Sequence, residues 1–246
     1  MWTTVDGDAC DMAPGDLVLT PGGAWHDHAN GGDGSMFWFD GLDLPMVEAL
    51  DAVFFEPHPE LRQPVTGPHN RSEAAWAHEG GDGARTMTEG AVTRALDPAP
   101  SPLLVYRWAE TDARLSRLAA AGERPLVSVE FTNPHSGASV LPTLSCGMHR
   151  LVPGGASAPV RRSGNTVFVV FRGEGGSVID GQRFDWAAGD MFVVPSWSAA
   201  EHFSAGGADL FALGDAPVLR ALGLYREETL PRRQEVTGTF TEGTAG

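Results

Sequence analysis

Gly15-Asp-Leu-Val-Leu-Thr-Pro21-Gly-Gly23-Ala-Trp-His26-Asp-His28-Ala-Asn30 is the stretch on which the reading of this chain turns. Asp16 to Thr20 alternate polar and apolar side chains, as a strand with one buried face does. Pro21-Gly22-Gly23 makes a tight corner that ends the pairing. The strand after the corner opens with His26 and His28, two residues apart and therefore on one face. On the inner face of a small barrel, such imidazoles suit a first-row transition metal. The alternative is two exposed histidines following a glycine-rich turn.

The spacing Gly, five residues, Pro, one, Gly, two, His, three, Asn resembles the second signature of the cupin β-barrels. It recurs 174 residues later, where Gly189, Asp190, Pro195 and His202 lie under Gly15, Asp16, Pro21 and His28. A period this long argues for two similar domains, since solenoid periods are far shorter. The second copy also carries the frame of the first cupin signature, from Gly154 to Gly173. Its three ligand positions hold Val160, Arg162 and Thr166, and the position equivalent to His26 holds Ala200. Valine and alanine cannot bind a metal, and a protonated arginine repels one. The chain is therefore expected to be an all-β bicupin with a few short helices, its C-terminal barrel metal-free and structural. By the same offset Met1 pairs with Gly175, so the N-terminal barrel is expected to be incomplete and its own His-x-His to precede Met1. A start site placed too late and a genuinely shortened relative both fit that expectation.

The bulk composition bounds the function classes. The 246 residues allow two domains, and 31 glycines with 18 prolines favour a turn-rich β architecture. A formal net charge of −15 excludes nucleic acid, whose phosphates need clustered cations. Residues 1–60 contain twelve acids and no arginine or lysine. No apolar run is long enough to span a bilayer, no signal-peptide pattern opens the chain, and Cys10 and Cys146 form no disulfide framework. A cytoplasmic protein with no membrane partner is expected. Along the chain, residues 1–55 read as the remainder of the first barrel, with strands to the apolar run Met36–Phe39 and a helical pattern from Met46 to Phe55. Residues 56–125 read as a loop-rich linker with a helix from Thr111 to Ala121, 126–228 as the second barrel, and 229–246 as a disordered tail.

Trp25-His26-Asp27-His28-Ala29-Asn30, followed by Phe37-Trp-Phe-Asp40-Gly41-Leu42-Asp43-Leu44-Pro45, resembles the gentisate 1,2-dioxygenase family, with its salicylate and 1-hydroxy-2-naphthoate dioxygenases. Asn133-Pro134, Pro195-Ser196-Trp197 and Ala221-Leu-Gly-Leu-Tyr225 extend the likeness to about Glu228. The resemblance implies a homotetrameric bicupin with Fe(II) held by three histidines, using O2 to cleave a small hydroxylated aromatic acid. It implies His26 as an iron ligand and His28 as the neighbouring histidine that moves a proton. Asp40 either orients that histidine and the substrate or is a turn residue before Gly41. The family's other iron histidines have no counterpart in the sequence. His58, His69, His78, His135 and His149 lack ligand spacing and read as ordinary surface or core residues, and His202 as a hydrogen-bonding core group. A non-catalytic bicupin, kept as a scaffold or oligomerisation partner, is the reading from a different function class.

Overall fold

The structure, a computed structural model, describes residues 1–76, 83–87, 95–122 and 124–240. Two β modules follow one another along the chain. The first is a three-stranded antiparallel sheet in which Trp2–Val5 lies between Asp8–Asp11 and His26–Ala29. Leu17–Val18 leaves that sheet and pairs with Val105–Tyr106. The second module is built on one long strand, Thr166–Ile179. Its first half pairs with Met191–Val194 and Ala208–Gly214, and its second half with Gln182–Ala187 and Ala200–Phe203. A register shift between Val170 and Arg172 lets the strand bend from one set of partners to the other. Beyond it, Gly175 sits where a Cβ would lie 2.2 Å from the Phe203 carbonyl oxygen, so only glycine fits. Phe168, Val170, Ile179, Trp186 and Leu210 fill this barrel. A second apolar cluster around Val129, Phe131, Met148 and Leu115 joins it to the helix Trp108–Ala120.

The 174-residue repeat holds at the level of single hydrogen bonds. Asp6-Gly7 turns with φ of 44° and 80°, and Asp180-Gly181 with 47° and 80°. Asp6 Oδ1 accepts the Trp25 N–H at 3.0 Å, and Asp180 Oδ1 accepts the Ala199 N–H at 2.9 Å. Thr3 faces His28 across the first sheet, as Ser177 faces His202 across the second. The likeness extends into two straps. Gln63 bonds the Gly7 N–H and Thr66 the Gly7 carbonyl, while Gln234 and Thr237 do the same at Gly181. Asp27 accepts the Gln63 N–H at 2.7 Å, and Glu201 accepts the Gln234 N–H at 2.7 Å.

These straps correct two expectations. Residues 229–240 are not a loose tail. Glu227–Thr229 pairs with Val160–Arg162, and Gly238–Thr239 pairs in parallel with Gln182–Ala187. Glu201, a buried carboxylate, binds Arg233 and Gln234 from across the sheet, a long-range anchor that local periodicity does not register. Residues 241–246 lie outside the described residues. The stretch read as linker likewise returns to the modules: residues 63–71 bond to the first sheet, and Ala84–Met87 adds a strand beside Leu126–Phe131.

Three further elements differ from expectation. The apolar run Met36–Phe39 forms no strand and is exposed, Phe37 to 94%. The first helix is Leu44–Ala49 rather than Met46–Phe55; Pro45 opens it, and Asp51, at φ 55°, turns the chain away. The helix expected from Thr111 starts at Trp108. Its start is set from a distance: Asp16 Oδ1 accepts the Trp108 N–H at 2.8 Å, and Asp16 Oδ2 binds Arg107 at 2.8 Å. Leu115 is fully buried on its inner face, with Leu118 packed beside it. Cys10 and Cys146 are buried and unpaired, and no described helix is long and apolar enough to cross a membrane.

Candidate functional site

The strand His26–Ala29 holds His26 and His28 on the same exposed face, with ring centroids 5.8 Å apart. His28 is the better fixed of the two. Its Nδ1 is 2.8 Å from Thr3 Oγ1, and its ring lies 5.0 Å from that of Trp38. Partial desolvation holds the His28 pKa below the ordinary histidine value, while the Asp40 carboxylate pulls it up. Asp40 is exposed, and this charge effect is the link that the structure gives it to the pair. His26 makes one weak contact, Nδ1 to the Ala24 carbonyl at 3.5 Å. Thr3 and Trp38 complete the group and were not anticipated. The 174-residue offset that pairs His28 with His202 also pairs Thr3 with Ser177, so the repeat held the signal for Thr3.

The other histidines divide in two. His69 pairs with Asp11 at 2.9 Å, His58 packs against Trp25, and His135 against Trp76, all ordinary surroundings. His78 lies outside the described residues. His149 departs from expectation: with His202 it lines a cavity of about 430 Å³ inside the second barrel. Val160, Arg162, Thr166 and Ala200, the four positions where a cupin would carry metal ligands, line the same cavity. His149 Nδ1 is 2.7 Å from Ser128 Oγ, and His202 Nδ1 is 2.7 Å from Ser177 Oγ. Desolvation lowers the pKa of His149 to about 4 and that of His202 to about 3, with Arg162 adding to both shifts, so both rings are neutral.

Comparison with known proteins shows what the chain is similar to. Residues 1–42 match the model of the cupin domain. A gentisate 1,2-dioxygenase from a Streptomyces species is 42% identical over 92% of this chain and 63% of its own length. A 5-aminosalicylate 1,2-dioxygenase from a Comamonas species is 34% identical over 98% of this chain and 63% of its own. The chain is similar to gentisate 1,2-dioxygenases over nearly all of its own length. The crystal structure of a salicylate 1,2-dioxygenase from Pseudaminobacter salicylatoxidans, 35% identical, superimposes with a TM-score of 0.80 over 93% of this chain and 65% of its own. The chain thus spans less than two thirds of the length of each of these relatives.

Iron is the metal the family resemblance implies, and the donors can be tested for it. A stable first-row site needs three or more protein ligands. Among the described residues, no three His, Cys, Asp or Glu side chains converge on one point. His26 offers one imidazole, and His28 has its Nδ1 engaged by Thr3. The described donors do not by themselves make an iron site.

Proposed function

We propose that this chain is part of an Fe(II)-dependent, ring-cleaving dioxygenase of the gentisate type, acting with O2 on a small hydroxylated aromatic carboxylate. The observation that carries this reading is the paired His26 and His28 in a chain 42% identical to a gentisate 1,2-dioxygenase. In this reading His26 is one of the iron ligands, and the others come from outside the described residues. His28 receives the substrate's phenolic proton on Nε2, the ring nitrogen that Thr3 leaves open. Trp38 beside it gives the aromatic ring an apolar surface. Asp40 acts on His28 through its charge and orients the substrate's polar groups. We place the protein in the cytoplasm, where its unpaired cysteines suit a reducing environment. We also propose that it self-associates, as a tetramer by family resemblance. Phe37, Phe54, Phe55 and Leu61 are each more than 70% exposed, the kind of apolar surface that a partner chain covers.

The test is to read the coding frame upstream of Met1, express the chain with and without that extension, and measure iron per subunit and gentisate-dependent O2 uptake. The expected result is iron and ring cleavage in the extended chain. His26→Ala should lose both, and His28→Ala should keep the iron while kcat falls by roughly 10²–10⁴. A stop codon directly upstream, or a His26→Ala variant that retains its iron, overturns the proposal. The absence of three converging donors among the described residues favours one rival, a non-catalytic bicupin scaffold. That rival predicts no stoichiometric iron in either version.

A further inference from the structure

The cavity of the second barrel has the wrong chemistry for a metal and the right chemistry for an anion. Although the chain carries a formal net charge of −15, no carboxylate is found among the described residues that line the cavity. Arg162 reaches it from within the barrel and the exposed Arg124 stands at its edge. Arg162 is held from behind, with Nε 3.4 Å from Glu227 Oε2, and Tyr225 donates its hydroxyl to that same oxygen at 2.7 Å. No hydrogen bond to the terminal nitrogens of Arg162 occurs among the described residues, so they remain available to a ligand.

The two histidines add donors. The Trp186 indole N–H donates to Ser177 Oγ at 2.9 Å and occupies one of its lone pairs. The Ser177 hydroxyl hydrogen then goes to His202 Nδ1, 2.7 Å away, which puts the imidazole hydrogen on Nε2. Ser128 at 2.7 Å can set His149 in the same way. One imidazole N–H, a second imidazole that Ser128 can orient likewise, and a guanidinium therefore belong to one cavity. Phe168, Val194, Leu210 and Ala200 give it apolar walls. Its volume of about 430 Å³ lies within the range of small-molecule pockets, roughly 300–1,000 Å³.

We infer that the second barrel is a binding site for a small organic monocarboxylate, with the carboxylate on Arg162, His149 and His202 and an apolar, ring-sized body against Phe168, Val194 and Leu210. Arginine recognises a carboxylate through a charge-assisted, often two-pronged hydrogen bond. This site gives a binding role to a barrel expected, from its lost metal ligands, to be metal-free and structural. It does not depend on the reading of His26, because it shares no residue with the His26–His28 face.

The test uses the purified chain and benzoate as the probe, followed by calorimetry and by the Nε2 resonances of the histidines, with benzamide as the uncharged analogue. Benzoate is expected to bind one per chain, with benzamide at least about tenfold weaker, as loss of a charge-assisted bond requires. Arg162→Gln should weaken benzoate by about tenfold or more. Ala200→Leu, which fills the cavity and leaves the Glu227 pair intact, should abolish binding in a chain that melts like the parent. His26→Ala should bind benzoate as the parent does. Benzoate binding of unchanged affinity in Ala200→Leu, loss of binding in His26→Ala, or no benzoate binding at 10 mM, taken as roughly a hundred times a Kd near 0.1 mM, would each overturn the inference.

Discussion

The two modules carry the same local design and put it to opposite uses. In each, an Asp-Gly turn joins two antiparallel strands, a hydroxyl binds the Nδ1 of a histidine across the sheet, and a Gln-x-Val-Thr strap closes on the turn. In the first module the histidine face is open: His26 and His28 are exposed beside Trp38. In the second the histidine lines a cavity inside the barrel, with Arg162 and His149 beside it. A hydroxyl–imidazole pair fixes the orientation of a ring but does not decide its chemistry. Neighbours do that, by leaving the ring exposed or by surrounding it with cations and apolar walls.

The largest difference should appear in the straps. Glu201 is almost completely buried and holds both the Gln234 N–H and the Arg233 guanidinium. Asp27, its repeat counterpart, is half-buried and holds the Gln63 N–H. Glu201→Ala removes a buried carboxylate with two partners, the Gln234 N–H and the Arg233 guanidinium, and should cost about 2–3 kcal/mol. Asp27→Ala should cost about 1 kcal/mol, because water can replace the lost acceptor. Urea unfolding of both variants checks this. Equal losses would mean that the C-terminal strap is no better anchored than the internal one.

That asymmetry also separates what the sequence made legible from what it did not. The signature at Gly15–Asn30, its copy at Gly189–Ser204 and the four altered ligand positions were readable because each is a short pattern at fixed spacing. They led to two cupin modules, and they placed Val160, Arg162, Thr166 and Ala200 around one point. The C-terminal strap was not readable as order, because Arg232 to Phe240 has no periodicity and is held by Glu201 and Gly181 from distant strands. The start of the helix at Trp108 depends on Asp16, more than ninety residues earlier. His149 escaped notice for a similar reason. No ligand motif surrounds it, and strand pairing alone brings it beside His202.

A smaller contrast lies in acid. Burial places the folded pKa of His149 near 4 and that of His202 near 3, both below the ordinary value of 6.5. The unfolded chain therefore binds more protons than the folded one as pH falls from about 6.5 towards 3–4, and stability is lost across that window while remaining whole above it. Replacing His202 by Gln should flatten the fall between pH 6.5 and 4 by on the order of 2 kcal/mol. His28→Gln should flatten it much less, since its ring is on an open face and the Asp40 and Asp27 carboxylates oppose the lowering by desolvation. Thermal melts of the parent and both variants at half-unit pH steps make the comparison. Matching slopes for the parent and His202→Gln would show that the second histidine is not held neutral by its cavity.

The smallest effect tests the corner that follows each signature proline. Gly23 turns there with φ of 83°, and the equivalent residue in the second module is Trp197, with φ of 64°. A side chain in this left-handed region costs about 1–2 kcal/mol, a cost that glycine avoids. At Gly23 a Cβ would meet nothing within 4 Å, so Gly23→Ala should destabilise by about 1 kcal/mol through backbone conformation alone. Trp197 offsets its strain in a way alanine could not. Its ring lies 4.8 Å below the Arg161 guanidinium, which also binds Glu228 at 2.7 Å, and such a cation–ring contact contributes about 0.5–1 kcal/mol at an exposed site. Trp197→Gly therefore relieves strain and loses a contact of similar size, and its net effect should stay within about 1 kcal/mol of zero. Trp197→Ala keeps the strain without the contact and should be the least stable of the three. If Trp197→Ala proves as stable as Trp197→Gly, the tryptophan is not strained, and the two corners differ in sequence without differing in energy.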